Sequence, residues 1–318
     1  MPDPTWVIGA GGLLGRGVLA ELKSRGHEVL TSSIPWNDPA AAKDALAESA
    51  VALRSLADGR PWVIAWCAGA GVTGTSQAEL DSELEVFQSA LDSFGEVLCG
   101  PDAAPGRMFL ASSAGGVYAG SSAPPYTEES PTQPLAPYGF AKLAAEESAA
   151  DFALKTGTRL VVGRAANLYG PGQNLAKPQG LISVFAKAHL TGQPVSVYVS
   201  LDTLRDYIFI EDAAELVTDC LERLSGEDIH DGQTVVKIIA TQRADTIGAV
   251  IGACKTVFKR RPRIVLGASP FAKAQAHDLR FKSVVWPELD RRPFTPLAVG
   301  IDATVRDMQT LRNGLGQL

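Results

Sequence analysis

Histidine, cysteine and methionine are scarce in this chain: four, four and three among 318 residues. His27, His189, His230 and His277 are scattered, with no H-x-x-x-H spacing, so no metal site is expected. Cys67, Cys99, Cys220 and Cys254 form no C-x-x-C pair, and each sits in an apolar stretch. That pattern argues against a disulfide framework and for reduced, buried thiols in a cytoplasmic protein. Basic charge is also short. The 29 Lys and Arg against 35 Asp and Glu leave a net charge of -6, so no nucleic-acid surface is expected. The longest apolar run, around WVIAWCAGAGV, falls well below the ~20 residues of a membrane span. The first residues carry no charged-then-apolar leader pattern.

With 46% apolar residues the chain has enough material for a large core, and its length suggests about two domains as a soft prior. It opens TWVIGAGGLLGRGVLAELKSRGHEVL. Thr5 to Ile8 reads as a buried parallel strand, and Leu13, Leu14, Val18, Leu19 and Leu22 recur at helical spacing. Between them Gly9, Gly12 and Gly15 form a G-x-x-G-x-x-G turn. Gly9 permits the tight turn, Gly12 lets backbone amides approach a pyrophosphate, and Gly15 lets helix and sheet pack closely. Alternation then continues, with strands expected at 5–9, 28–32, 61–67, 107–112 and 158–164 and helices at 13–25, 39–57, 77–99 and 137–156. This predicts an α/β fold: a Rossmann-type doubly wound parallel sheet, with a smaller mixed C-terminal substrate-binding domain. The division falls at residues 1–166 and 167–318, the first domain sharing some later segments. VSVYVS and QTVVKIIA are expected as strands of the smaller region, and ISVFAKAHLTG and FIEDAAELVTDCLERL as its helices.

Tyr138 and Lys142 lie four apart in LAPYGFAKLAAEESAADFAL, a helical segment, and therefore share a face. An ammonium there favours the neighbouring phenolate, which suits a tyrosine to general acid–base work. A Tyr-x-x-x-Lys pair alone is weak, since chance produces it often. Joined to the glycine turn, in this order and on these elements, it resembles the short-chain dehydrogenase/reductase superfamily.

Later stretches resemble the extended branch, the NAD-dependent epimerase/dehydratase family, which works largely on nucleotide sugars. FLASSAGGVYAG resembles that family's strand and loop carrying the catalytic Ser/Thr, and EESPTQPLAPYGFAK its run-in to the tyrosine. RLVVGRAANLYGPGQ and RDYIFIEDAAELV resemble its substrate-contacting stretches. The resemblance implies Tyr138 as acid/base, Lys142 as its partner and ribose holder, and Ser113, then Ser112, as the assisting hydroxyl. Counting back from Val117 puts the usual Ser/Thr position at Ala114, so the loop would have to bulge to deliver Ser113. Substrate contacts are implied at Ser113, Tyr118, Asn167 and Arg205. Cofactor contacts are implied at Gly9, Gly11, Gly12, Leu13, Leu14, Gly15, Ala68 and Gly69, besides Tyr138 and Lys142.

The chain departs from its relatives in places. The second strand ends Thr31, Ser32, Ser33 where NAD sites usually carry an acid for the ribose 2′-OH. Ser32 and Ser33, with Arg16 as helper, suit a 2′-phosphate as well, so NAD and NADP both stay open. The stretch 33–61 is short, so a separate third strand is reduced. Ser-Ala-Gly at 113–115 stands where the dehydratase subgroup has Thr-Asp-Glu, which argues against dehydration. The diphosphate-gripping arginine has only Lys273 and Arg280 as candidates, and the basic cluster Lys259, Arg260, Arg261 and Arg263 reads as a solvated edge. The expected partner is a small-molecule substrate, a nucleotide sugar, with no nucleic acid and no membrane. Helices 77–99 and 137–156 have apolar faces through which relatives dimerise, so a homodimer is expected. Three readings follow: a nucleotide-sugar epimerase similar to UDP-glucose 4-epimerase, a reductase of a keto-sugar or other carbonyl, and a cofactor-sensing protein without catalysis.

Overall fold

Strand β1, Thr5–Ile8, is buried at every position, and the glycine turn passes the chain into helix α1, Leu13–Ser24. β2, Val29–Thr31, leads to α2, Pro39–Ala57, whose start is fixed by Pro39 in the first turn and by the Asp38 carboxylate accepting from the Ala40 and Ala41 amides. β3, Val63–Trp66, precedes α3, Gln77–Leu98, which opens on a Ser76/Glu79 capping box. β4, Arg107–Ser113, runs into a single turn, α4, Ala114–Val117. α5, Pro137–Thr156, begins at a proline and stops at Gly157 in the left-handed conformation. β5 is Arg159–Ala165. The structure is a computed structural model that describes residues 3–100, 103–173, 180–259, 262–267 and 276–315.

The main sheet has the order β2-β1-β3-β4-β5-β9 and is parallel throughout. Its sixth strand, β9 (Thr234–Ile239), is a correction to the expectation that QTVVKIIA belongs to the smaller region. Val235, Val236, Ile238 and Ile239 are apolar on both faces, and such a run suits a sheet covered on both sides. The helix expected with it, α7 (Ile210–Arg223), likewise packs beside α1 on this sheet. α2, α3 and α5 cover the other face. β2 is an edge strand, and the chain passes from it directly into α2, as the shortness of 33–61 anticipates. The strand order reverses at β1, with β2 on one side and β3 on the other, so the crevice at their carboxyl ends is where a ligand belongs.

The second body holds a small mixed sheet. β8 (Leu204–Phe209) pairs with β6 (Asn167–Tyr169), β10 (Ala244–Thr246) and β12 (Asp278–Leu279). β7 (Val195–Val197) pairs with β11 (Ile264–Leu266). α6 (Leu181–Thr191), α8 (Ile247–Phe258) and α9 (Leu297–Leu315) enclose a third core around Phe185, Val250 and Ile301.

Two buried polar clusters pin later loops to these sheets. Lys237 on β9 has no exposed surface; its ammonium donates to Ser283 Oγ at 2.6 Å, the Val285 carbonyl at 2.8 Å and Asp290 at 2.7 Å. Glu128, in the loop before α5, accepts from the Ile238 and Val284 amides, both at 2.8 Å. Asp206 on β8 accepts from the Thr241 amide and hydroxyl and the Arg243 amide, each at 3.0 Å. Burial nevertheless pushes its carboxyl up to about 6. A folded pKa above the unfolded value means that this group's contribution to stability falls as pH rises from about 4 through 6. Asp206→Asn turns an NH2 toward those donors and is expected to cost ~1–3 kcal/mol. Urea unfolding should show the deficit shrinking as pH rises through that window; a widening deficit would contradict the assignment.

Candidate active site

The glycine turn is built for close approach. Gly9 has φ +83°, and the Gly12 amide donates to its carbonyl at 2.9 Å. A Cβ on Gly9 would lie 2.6 Å from the Ala68 amide nitrogen, and one on Gly15 would overlap the Gly9 carbonyl. In front of Gly11 there is open space. Gly12 caps α1 without a side chain, so the first-turn amides of Leu13, Leu14 and Gly15 have no capping group competing for them. These features fit a dinucleotide pyrophosphate: bare amides, a positive helix end and no side chain in the way. Ser32 and Ser33 follow β2, with Ser33 exposed and no acid beside them before Asp38. The Arg16 guanidinium lies against Gly172 in the β6–α6 connection, where a Cβ would come within 3.0 Å of it.

After β3, Ala68 sits beneath Gly9, and Gly69 is exposed with φ +149°. The Tyr138 ring stands between two glycines. A Cβ on Gly116 would meet its Cε1 at 3.1 Å, and one on Gly71 would meet its Cδ2 at 3.4 Å. Lys142 Nζ lies 5.7 Å from the ring centroid. Ser113 reaches the same place without a bulge, because β4 runs through it and α4 starts at the next residue. Its hydroxyl oxygen accepts from the Gly116 amide at 3.1 Å, which leaves the hydroxyl hydrogen for a substrate. The structure thus brings Ser113, Tyr138, Lys142, Gly69 and the glycine turn to one end of the sheet.

Ser112 and Tyr118 are placed differently. Ser112 is buried and donates to Glu146. Glu146 accepts three further bonds from Arg164, the shortest 2.6 Å, and Arg164 donates to the Tyr118 hydroxyl at 2.6 Å. Tyr118 has no exposed surface and stacks on Tyr126 at 5.5 Å. Burial pushes its phenol above the ordinary range, against the opposing pull of Arg164. The expectation that Tyr118 touches substrate is therefore corrected: its ring is enclosed and its hydroxyl committed. Ser112, Glu146, Arg164 and Tyr118 form a polar floor beneath the site.

Asn167 is exposed at the start of β6, and its amide donates to the Asp206 carbonyl at 3.1 Å. Arg205 donates to the carbonyls of Ala276 at 2.7 Å and Leu204 at 2.8 Å, and it makes no ion pair among the described residues. Burial lowers its pKa, against the opposing pull of Tyr207 and Asp278. Arg280 is spent on Asp278 at 2.8 Å. Lys273, Arg260 and Arg261 lie outside the described residues. Three site residues escaped the sequence reading: Glu83, Glu146 and Arg164. The signal was a charge inside an apolar stripe. Glu83 falls on the face of α3 shared by Leu80, Phe87, Ala90 and Phe94, and Glu146 on the face of α5 shared by Ala149 and Ala153.

Comparison with known proteins bears on this geometry. Residues 5–236 match the model of the NAD dependent epimerase/dehydratase family. The chain belongs to that family. Among curated relatives, it is 28% identical over 205 residues to the dTDP-4-dehydro-6-deoxyglucose reductase of Escherichia coli, covering 64% of this chain and 61% of that enzyme. It is 25% identical over 199 residues to the UDP-glucose 4-epimerase of Mycolicibacterium smegmatis, covering 63% and 61%. The match thus spans about three-fifths of the length of each of these two relatives. A solved UDP-glucose-4-epimerase from Stenotrophomonas maltophila, with bound NAD and formylated UDP-arabinopyranose, superposes with TM-score 0.82 at 18% identity over 99% of this chain and 100% of that one. The UDP-glucose 4-epimerase of Thermus thermophilus, in complex with NAD, gives 0.77 at 20% identity over 96% and 99%. These two structures share the fold. Among the described residues no helix of this family member is long and apolar enough to cross a membrane, and no His/Cys/Asp/Glu group could hold a metal ion.

Proposed function

We propose that this protein is an NAD-dependent nucleotide-sugar epimerase that oxidises a sugar hydroxyl transiently and returns the hydride to the opposite face. The observation that carries the reading is Tyr138 wedged between Gly71 and Gly116, with Ser113 and Lys142 around it and the glycine turn on the same crevice. A bound nicotinamide would supply the hydride acceptor and donor. Tyr138 takes the proton from the substrate hydroxyl and gives it back. Lys142 sets a positive charge beside the ring, which stabilises negative charge developing on the phenol oxygen. Ser113 donates its free hydrogen to the same substrate oxygen. Asn167 and Arg205, from the second body, contact the nucleotide diphosphate, and Arg205 supplies the charge. In this reading residues 1–166 with α7 and β9 bind cofactor, and the remainder from 167 binds substrate. Four free cysteines suit a cytoplasmic setting.

The protein as purified is expected to release NAD or NADH on denaturation, because an epimerase keeps its hydride within one catalytic cycle. Absorbance and analysis of the released nucleotide read this directly. A second reading is a reductase, supported by the serines that replace an acid after β2 and by the reductase among the relatives. An empty protein that exchanges NADPH and consumes a carbonyl would establish it and displace the epimerase.

A homodimer would form through the outward faces of α3 and α5. Phe140 and Leu154 there are 59% and 75% exposed, and the same two helices carry exposed Asp81, Asp92, Glu96, Glu147 and Asp151, with Lys155 the exposed base beside Leu154. Like charges meeting across a two-fold repel, so light scattering should show association strengthening as salt rises toward about 1 M, where screening acts within ~3 Å. A monomer at every salt concentration rules the dimer out.

A further inference from the structure

We infer that Glu83 is a cofactor-binding residue, pairing with Lys142 across Gly69 to hold the two vicinal hydroxyls of the nicotinamide-side ribose; this rests on the cofactor reading above. Glu83 Oε2 accepts from the Ala70 amide at 2.9 Å and the Gly71 amide at 3.1 Å, and so pins the loop against which the Tyr138 ring stands. A neutral side-chain amide could do the same. The charge, and the second oxygen, are what call for a purpose.

That second oxygen, Oε1, receives no hydrogen bond from the described residues. It lies 3.1 Å from the point a Cβ on Gly69 would occupy, and Lys142 Nζ lies 3.1 Å from the same point. Opposite charges this near would ordinarily close into an ion pair, yet none joins them among the described residues. Gly69 is exposed and its φ of +149° excludes a side chain, so the space between the two charges stays open to the crevice. A phosphate would be repelled by the carboxylate, and an apolar group would strand both charges. A vicinal diol satisfies both: the ammonium donates to one hydroxyl oxygen, and the carboxylate accepts from a hydroxyl hydrogen. The gap sits between Ala68, under the glycine turn, and Tyr138, so a ribose there precedes the reacting ring.

Titration calorimetry with ADP and ADP-ribose, on protein stripped of bound nucleotide, separates the two ideas. The wild type is expected to bind ADP-ribose more tightly than ADP. Glu83→Gln keeps an oxygen for the Ala70 and Gly71 amides and should leave ADP affinity unchanged. It should weaken ADP-ribose on the order of tenfold, the size expected for a lost hydrogen bond to a charged group. Equal ADP-ribose affinity in wild type and Glu83→Gln overturns the inference, as does a wild type that prefers neither ligand. Failure of the wild type to bind ADP at all overturns the cofactor reading itself. If Glu83→Gln does not fold by circular dichroism, Glu83→Asp, whose shorter arm cannot serve both the loop and the diol, is judged by the same comparison.

Discussion

Tyr138→Phe is expected to lower turnover of a nucleotide sugar by ~10²–10⁴-fold, the usual share of a positioned acid/base. The phenylalanine ring fills the same slot between Gly71 and Gly116, so packing is kept and only the hydroxyl is lost. Dinucleotide affinity, read by fluorescence titration, should therefore stay close to that of the wild type. A variant with undiminished turnover would remove Tyr138 from the chemistry, whatever its position. A variant that loses turnover and cofactor together would mean instead that the hydroxyl holds the dinucleotide.

Glu146→Leu is expected to be strongly destabilising. Glu146 is 8% exposed and Arg164 7%, and the carboxylate serves both Arg164 and Ser112. Removing it leaves a buried guanidinium whose remaining side-chain partner among the described residues is the Tyr118 hydroxyl. Breaking a buried pair from one side costs about 3–5 kcal/mol, because the surviving charge stays desolvated. The double variant Glu146→Leu/Arg164→Met removes both charges and should regain a good part of that loss. Urea unfolding of the two single variants and the double variant tests this. Losses that simply add would show that the pair is not coupled. The damage should also reach activity, since Ser112 adjoins Ser113 and Glu146 follows Lys142 by one helical turn.

Much of the first body was readable in the sequence. Helices α2 and α5 lie at the expected residues, and α1 and α3 end one residue early. The reason is local: Pro39, Pro137 and the Ser76/Glu79 box fix starts, and the glycine turn separates the buried strand β1 from α1. The assignment of β9 failed because a doubly buried strand reads the same whichever sheet it joins; its neighbour is a matter of topology, not of pattern. Within the site, Tyr138 and Lys142 were visible through their spacing on one helix. The orientation of Ser112 against Ser113 was not, since alternation along β4 puts them on opposite faces without saying which face is floor and which is crevice. Glu83 and Glu146 were not singled out, although both interrupt an apolar stripe.

The buried ammonium of Lys237 has a consequence for the order of assembly during synthesis. The residues that enclose and satisfy this charge, Ser283, Val285 and Asp290, emerge from the ribosome some 50 residues after β9. A nascent chain that already exposes all six strands of the main sheet therefore still lacks the partners of the ammonium on the sixth. Glu128 gains its bonds from Ser283 and Val284 at the same late moment. Translation stalled short of Ser283 would leave the Lys237 ammonium without any of these three partners.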